Sequence, residues 1–206
     1  RDFCLSRGLG DVYKRQVSDS VFSKISDTCT PQGVLCVLKQ FHYNIEEMLR
    51  DKAPLFLLLE NIQDPGNLGT MLRTGEGAGV SGIIMSRDTV DLYNPKVIRS
   101  TMGSIYRVPF YYADDFAAAV HQVQQAGVSV YAAHLRGKNS YACQDYTKGT
   151  AFLIGNEGNG LREETAELAD CYIRIPMEGK VESLNAAVAS SILMYEAHRQ
   201  RATIEK

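Results

Sequence analysis

Leu55-Phe-Leu-Leu-Leu-Glu-Asn-Ile-Gln-Asp-Pro-Gly-Asn-Leu-Gly-Thr-Met-Leu-Arg73 is the stretch on which the fold of this chain turns. It begins with a continuous apolar run closed by Glu60, the pattern of a strand covered on both faces of a parallel sheet. Asp64-Pro65 then supplies a helix N-cap and a proline at the first helical position. The spacing that follows predicts a helix to about Ala78, with Leu68, Met71, Leu72 and Gly75 on its inner face. A buried strand feeding directly into a capped helix is the opening half of a β-α-β unit.

Working outward, the same alternation recurs. Val34–Lys39 reads as a further buried strand, and Ile45–Arg50 as a short helix or turn. Gly82–Ser86 is the next strand, and Asn94-Pro95 opens a helix to about Met102. Asp114-Asp115 opens a third helix, carrying Phe116, Val120 and Val123 and ended by Gly127. Val128–Ala133 is a strand followed by a polar loop. Ala151–Ile154 is a strand whose glycine-rich loop feeds a helix over about Leu161–Ala169, and Cys171–Ile175 is the last strand. The final helix covers residues 184–200. Strands alternating with helices imply an α/β domain with a mostly parallel sheet and helices on both faces.

The last helix carries a second message. Leu184, Val188, Ser191 and Tyr195 lie along one stripe, and Ala186, Ala189, Leu193 and Ala197 along another. A helix apolar on two sides needs two partners, the sheet and either a second subunit or further core.

The composition narrows the function without naming it. The chain has 206 residues, 45% of them hydrophobic, which suits one ordinary globular domain. The net charge of −2 is not that of a general nucleic-acid binder, so any RNA contact has to come from a local basic cleft. Cys4, Cys29, Cys36, Cys143 and Cys171 are odd in number and contain no Cys-x-x-Cys pair, which favours reduced thiols in the cytoplasm. His42, His121, His134 and His198 lack ligand spacing, and no metal is expected. No apolar run approaches the ~20 residues of a membrane span, and the first residues do not form a signal peptide. Asp11-Val-Tyr-Lys-Arg-Gln16 matches the translation of a transposon end used in preparing sequencing libraries, so residues 1–16 are expected to be non-native, with a disordered native tail as the alternative, and are excluded from the fold.

Three polar segments carry the candidate chemistry. In Asn61–Arg73, Asn67 falls in the first helical turn, where free amides favour anions, and Arg73 lies about two turns in as a permanent forked cation. Read locally, Asp64, Pro65 and Asn67 could simply cap the helix, with Arg73 a surface residue. Gly155-Asn-Glu-Gly-Asn-Gly160 lets the backbone turn tightly beside a ligand, with Glu157 as its acidic group. It is neither Gly-x-Gly-x-x-Gly nor a Walker loop, and Gly75-Glu-Gly-Ala-Gly79 does not follow a strand, so no dinucleotide fold is indicated. A capping carboxylate is the local alternative for Glu157. Ile175-Pro-Met-Glu-Gly-Lys-Val-Glu-Ser-Leu-Asn185 joins a strand end to a helix start, with Gly179 able to turn and Ser183 placed as an N-cap.

Order, spacing and residue types of these three segments resemble the three motifs of the SpoU/TrmH family of RNA ribose 2′-O-methyltransferases, over about residues 31–200. The resemblance implies the SPOUT fold, with the third motif threaded through a loop as a deep trefoil knot, a topology that periodicity cannot reveal. It implies S-adenosylmethionine as cofactor, a ribose 2′-hydroxyl as acceptor, ribosomal RNA before transfer RNA as substrate, and a homodimer. Asn67, Arg73, Glu157, Ser183 and Asn185 match catalytic positions of the family. Gly155, Asn156, Ile175, Met177 and Leu184 match cofactor-binding positions. Gly155 is expected to lie against the cofactor, so that a side chain there blocks the site and leaves the fold intact. In the family's subgroup a substrate-binding domain precedes the catalytic one. Residues 17–32 are expected to be its remnant, leaving residues 33–206 as the methyltransferase domain. Two other classes stay open at this point: a catalytically silent RNA-binding module of the same fold, and a small-molecule nucleotide enzyme using the Gly155–Gly160 loop.

Overall fold

The structure is a computed structural model and describes residues 14–180 and 183–204. Most of the segment expected to be non-native lies outside these residues, as do Cys4, Val181 and Glu182. The chain divides into two units, residues 1–41 and 42–206. In the first, the described residues form one helix, α1 (Asp19–Ile25), and otherwise irregular chain. The strand expected over Val34–Lys39 is absent. Val34, Leu35, Val37 and Leu38 are exposed, and this unit offers no neighbouring strand among its described residues to satisfy their backbone groups.

The second unit holds the sheet. Its strands are β1 (Leu55–Leu59), β2 (Gly82–Ser86), β3 (Phe110–Ala113), β4 (Ser129–Ala133), β5 (Asn139–Ser140), β6 (Thr150–Ile154) and β7 (Cys171–Arg174). They pair in the order β3-β2-β1-β6-β4-β7-β5, every pair parallel. Among the described residues, six α-helices flank the sheet: α2 (Ile45–Met48), α3 (Pro65–Ala78), α4 (Pro95–Thr101), α5 (Phe116–Gln125), α6 (Glu163–Ala166) and α7 (Ala186–Ile204). No helix among the described residues is long and apolar enough to cross a membrane.

The apolar run of β1 is central because its two faces serve two cores. Leu55, Leu57 and Leu59 pack with Leu68, Met71 and Leu72 of α3, Val97 of α4, and Leu193, Met194 and Ala197 of α7. Phe56 and Leu58 face the other way, onto Ile45 and Met48 of α2 and Ala119, Val120 and Val123 of α5. Side-chain alternation along one strand thus accounts for both helical layers.

Local signals set the helix ends. The Asp64 carboxylate accepts the Asn67 backbone N–H at 2.7 Å with Pro65 at N1, and left-handed Gly79 (φ 76°) ends α3. Asn94 and Asp115 cap α4 and α5 in the same way. Three expectations need correction. The short strand β3 was not foreseen; its Tyr112 hydroxyl donates to Val90 O at 2.7 Å and accepts the Leu92 N–H at 2.8 Å, so a polar anchor replaces the apolar alternation. The polar loop after β4 contains β5, two residues paired with β7. The helix expected over Leu161–Ala169 shrinks to Glu163–Ala166, because the backbone at Arg162 is extended and its N–H is taken by Glu60.

On α7 the stripe Ala186, Leu193 and Ala197 is buried, whereas Val188 and Tyr195 of the second stripe are 48% and 50% exposed. Helix α3 packs against both α4 and α7. At its crossing with α4, a Cβ on Gly69 would lie 1.7 Å from Ser100 Oγ and 2.6 Å from Ser100 Cβ. At its crossing with α7, a Cβ on Gly75 would meet Val80 at 3.4 Å and Met194 Sδ at 3.7 Å, ordinary contact. Gly69→Ala should therefore destabilise the protein by about 1–3 kcal/mol through overpacking. Gly75→Ala should be neutral or stabilising by up to ~1 kcal/mol through helix propensity. Urea unfolding of the two variants checks this, and equal effects would contradict the α3–α4 packing.

Candidate active site

The carboxyl ends of β1, β6, β4 and β7 lie side by side, since Leu59 pairs with Ile154, Ala132 with Leu153 and Ala133 with Ile173. In open α/β sheets ligands bind outside such carboxyl ends. A pocket of about 260 Å³ lies there. Its walls come from the loop after β4 (Ala133–Leu135), the glycine loop after β6, the end of β7 and the start of α7.

The glycine loop folds back on itself. Asn156 and Gly160 exchange backbone hydrogen bonds of 3.0 and 2.9 Å, and the Asn156 side chain accepts the N–H groups of Gly158 and Asn159, each at 3.0 Å. The other end of that amide donates to Asn61 O at 2.8 Å. Asn61 sits in the left-handed region (φ 54°), which asparagine tolerates better than most residues. The second segment is thereby joined to the first by a side chain that reaches the first segment's backbone.

Glu157 makes the second junction. Its Oε1 accepts the Asp64 N–H and Asn67 Nδ2, both at 3.0 Å, and its Oε2 accepts the Gln63 N–H at 3.1 Å. Burial, the largest influence, pushes the carboxyl up, but the donors from Asn67, Gln63 and Asp64 together hold it below the usual carboxylate range. A carboxylate with both oxygens engaged and lowered proton affinity is an anchor, and a poor general base. Asn67 passes the connection on, its Oδ1 accepting Asn185 Nδ2 at 2.9 Å. Asn185 in turn caps α7, accepting the N–H groups of Ala187 and Val188 at 2.9 and 3.2 Å.

Of the predicted residues, the structure links Glu157, Asn67 and Asn185 directly. It gathers Gly155, Asn156, Ile175, Met177, Ser183 and Leu184 around the one pocket, to which Glu157 also contributes. Arg73 stands apart. It is exposed on α3, six residues beyond Asn67, a rise of about 9 Å. Ser183 does not cap α7; Asn185 occupies that role and leaves Ser183 exposed at the pocket. Gly179 does turn, at φ 76°.

Gly155 requires a larger correction. It lines the pocket, but a Cβ there would lie 2.2 Å from Gly160 C and Leu161 N, so the first obstacle is the loop's own backbone. Sequence reasoning also missed Ala133, His134 and Leu135. His134 Nδ1 accepts the Arg136 N–H at 3.1 Å and its ring stacks on Tyr172 at 5.0 Å. Burial, then nearby Arg136, lowers the His134 pKa and favours the neutral ring. A lone histidine in a polar loop gave no signal of this.

The pocket suits a nucleoside with a short charged tail better than a polyphosphate. Among the described residues its lining is mostly Ala, Leu, Ile, Met and Gly, with Arg174 and Glu157 as the only fully charged groups and no lysine. The donor set converging near it comes from backbone and asparagine amides.

The chain matches the model of the SpoU rRNA Methylase family over residues 54–195, and it belongs to that family. It is 35% identical over 179 residues to the 23S rRNA (guanosine(2553)-2′-O)-methyltransferase RlmP of Bacillus subtilis, covering 87% of this chain and 70% of the relative. It is 33% identical over 184 residues to the 23S rRNA (guanosine-2′-O-)-methyltransferase RlmB of Ralstonia nicotianae, covering 87% of this chain and 74% of that one. Its fold matches the AdoMet-bound rRNA methyltransferase from Sinorhizobium meliloti with a TM-score of 0.80 at 36% identity, covering 88% of this chain and 70% of that one.

The loop geometry makes a direct comparison possible. Gly155→Ala should abolish S-adenosylmethionine binding and lower the melting temperature together, because the loop cannot close. Gly158→Ala, whose Cβ would meet only Asn156 Oδ1 at 3.6 Å, should keep both within experimental error. Calorimetry and thermal melting check the pair. A stable Gly155→Ala protein that binds normally would contradict the loop geometry.

Proposed function

We propose that this chain transfers a methyl group from S-adenosylmethionine to a ribose 2′-hydroxyl of structured RNA, with ribosomal RNA the first class to test and transfer RNA the second. The observation that carries the reading is the junction Glu157–Asn67–Asn185, which gathers the three motif segments beside one pocket at the carboxyl ends of the strands.

S-adenosylmethionine, when bound, supplies an electrophilic methyl on a sulfonium. The backbone and side chains of Gly155, Asn156, Ile175, Met177 and Leu184 hold it, in a pocket whose apolar walls exclude water. Asn67, fixed by Glu157 and by Asn185, and Asn185, fixed by Asn67, orient the ribose. Ser183 lies at the same pocket, free to hydrogen-bond the ribose or the cofactor. Arg73 stabilises the adjoining phosphate and the oxygen, whose proton leaves late, to a water. An arginine side chain rarely deprotonates, so it is not assigned as the base. Positioning the acceptor hydroxyl with these side chains would contribute several kcal/mol to lowering the barrier.

We extend the reading in two ways, both supported by the family. The third motif, described over residues 175–180 and 183–185, belongs to the deep trefoil knot of the SPOUT fold. The half-exposed Val188 and Tyr195 on α7 meet a second copy of the chain, so that the working form is a homodimer; the odd cysteine count, with no Cys-x-x-Cys pair, favours the cytoplasm.

Mass spectrometry of nuclease digests should reveal a 2′-O-methylated nucleotide in rRNA incubated with the protein and S-adenosylmethionine. No transfer to rRNA or tRNA, or methylation of a base, would overturn the reading. In single-turnover assays with saturating cofactor, Arg73→Ala should slow transfer by roughly 100-fold, the scale of losing one preorganised donor. Arg73→Lys should remain strongly impaired for want of the planar fork. Cofactor affinity should change in neither. Near-normal rates for Arg73→Ala would remove it from the site.

A further inference from the structure

Glu60 carries a buried charge-bearing group that the reaction does not use. The residue is 1% exposed, at the end of β1, with its N–H donating to Ile154 O at 2.9 Å. All the donors to its carboxylate come from the segment just past the glycine loop. They are the Arg162 backbone N–H at 2.8 Å, Arg162 Nη1 at 3.4 Å and the Thr165 hydroxyl at 2.5 Å. The other arm of Arg162 pairs with Asp88. Asp88 also accepts Ser86 Oγ at 2.5 Å, and that same hydroxyl oxygen accepts the Asn61 N–H at 2.8 Å. Gln63 Nε2 donates to Asp88 O at 2.5 Å.

These bonds close a ring, Glu60–Arg162–Asp88–Ser86–Asn61. One side of it is the first motif's turn; the other is the exit of the glycine loop. The loop is thus fixed twice. In front, Glu157 reaches Gln63, Asp64 and Asn67; behind, Arg162 is pinned to Glu60 and Asp88. The front contacts depend on the rear ones, because Gln63 and Asp64 belong to the same turn that the ring braces. Removing one partner of a buried hydrogen-bonded charge leaves the rest unsatisfied, which gives the ring a defined geometry.

We propose that Glu60, Arg162 and Asp88 are positioning residues, a strut that sets the spacing between the first-motif turn and the glycine loop and so fixes the cofactor pocket. The proposal rests on the methyltransferase reading for its ligand, but not for its mechanics. Arg162 is the informative position, since its side chain is 48% exposed and its loss need not unfold the chain.

The test has two readouts on Arg162→Ala, Arg162→Lys and Asp88→Asn. Hydrogen exchange of the ligand-free protein reads the Gly158, Asn159 and Gly160 amides against those of β1 and β6. Calorimetry reads S-adenosylmethionine affinity, and kinetics the KM for RNA. In Arg162→Ala the loop amides should exchange about tenfold faster with the strands unchanged, and cofactor affinity should fall about tenfold, the scale seen when outer supports of site ligands are removed. The KM for RNA should stay within about twofold, and Arg162→Lys should recover part of both losses. Loop exchange and affinity both near wild type would overturn the proposal, as would faster exchange with unchanged affinity. Should Arg162→Ala fail to fold, Asp88→Asn decides by the same two readouts. If wild-type protein binds no S-adenosylmethionine, the functional reading falls, while exchange still decides whether the strut holds the loop.

Discussion

One carboxylate, that of Glu157, organises this molecule's chemistry. It lies in a loop after β6 and gathers two backbone amides and one side-chain amide from a turn after β1, some ninety residues earlier. Asn67 relays the connection to Asn185 at the head of α7. Three segments far apart in sequence thereby share one hydrogen-bond chain. Each link uses up an atom that would otherwise need water, so the chain also fixes which way each amide faces. With Oδ1 of Asn67 accepting from Asn185 and its Nδ2 donating to Glu157, neither asparagine is free to flip.

The sheet makes that convergence possible. β6 is inserted between β1 and β4, so the loops after β1, β6, β4 and β7 emerge side by side. A pocket at such a place is walled by backbone more than by side chains, and close approach then limits residue choice. Gly155 illustrates this: its missing Cβ makes room for the returning backbone of Gly160 and Leu161, and the pocket wall exists because the loop closes. The apolar lining offers burial to an apolar ligand face, and the amide-rich junction beside it offers polar groups.

Much of this was legible in the residues. The apolar run of β1, the Asp64-Pro65 cap and the glycine end of α5 are local signals with local causes, and the structure shows each of them. The motif residues were legible through their family pattern. What failed had nonlocal causes. Val34–Lys39 has strand composition but no strand beside it. β3 is held by a tyrosine hydroxyl and not by alternation. The helix after the glycine loop is shortened because Glu60, about a hundred residues earlier, claims the Arg162 N–H. Ser183 looked like a cap, yet Asn185, which already answers to Asn67, takes the role. Periodicity cannot see a partner that far along the chain.

The central claim is that Glu157, Asn67 and Asn185 act as one unit. A double-mutant cycle on Glu157→Ala and Asn185→Ala measures it, since the two side chains communicate only through Asn67. Residues in one hydrogen-bond network show coupling of about 0.5–3 kcal/mol, whereas independent sites add within roughly 0.5 kcal/mol. The account predicts that the double variant's loss in methyl-transfer rate falls short of the product of the two single losses by more than about twofold, a coupling above about 0.5 kcal/mol. Strictly multiplicative losses would contradict it.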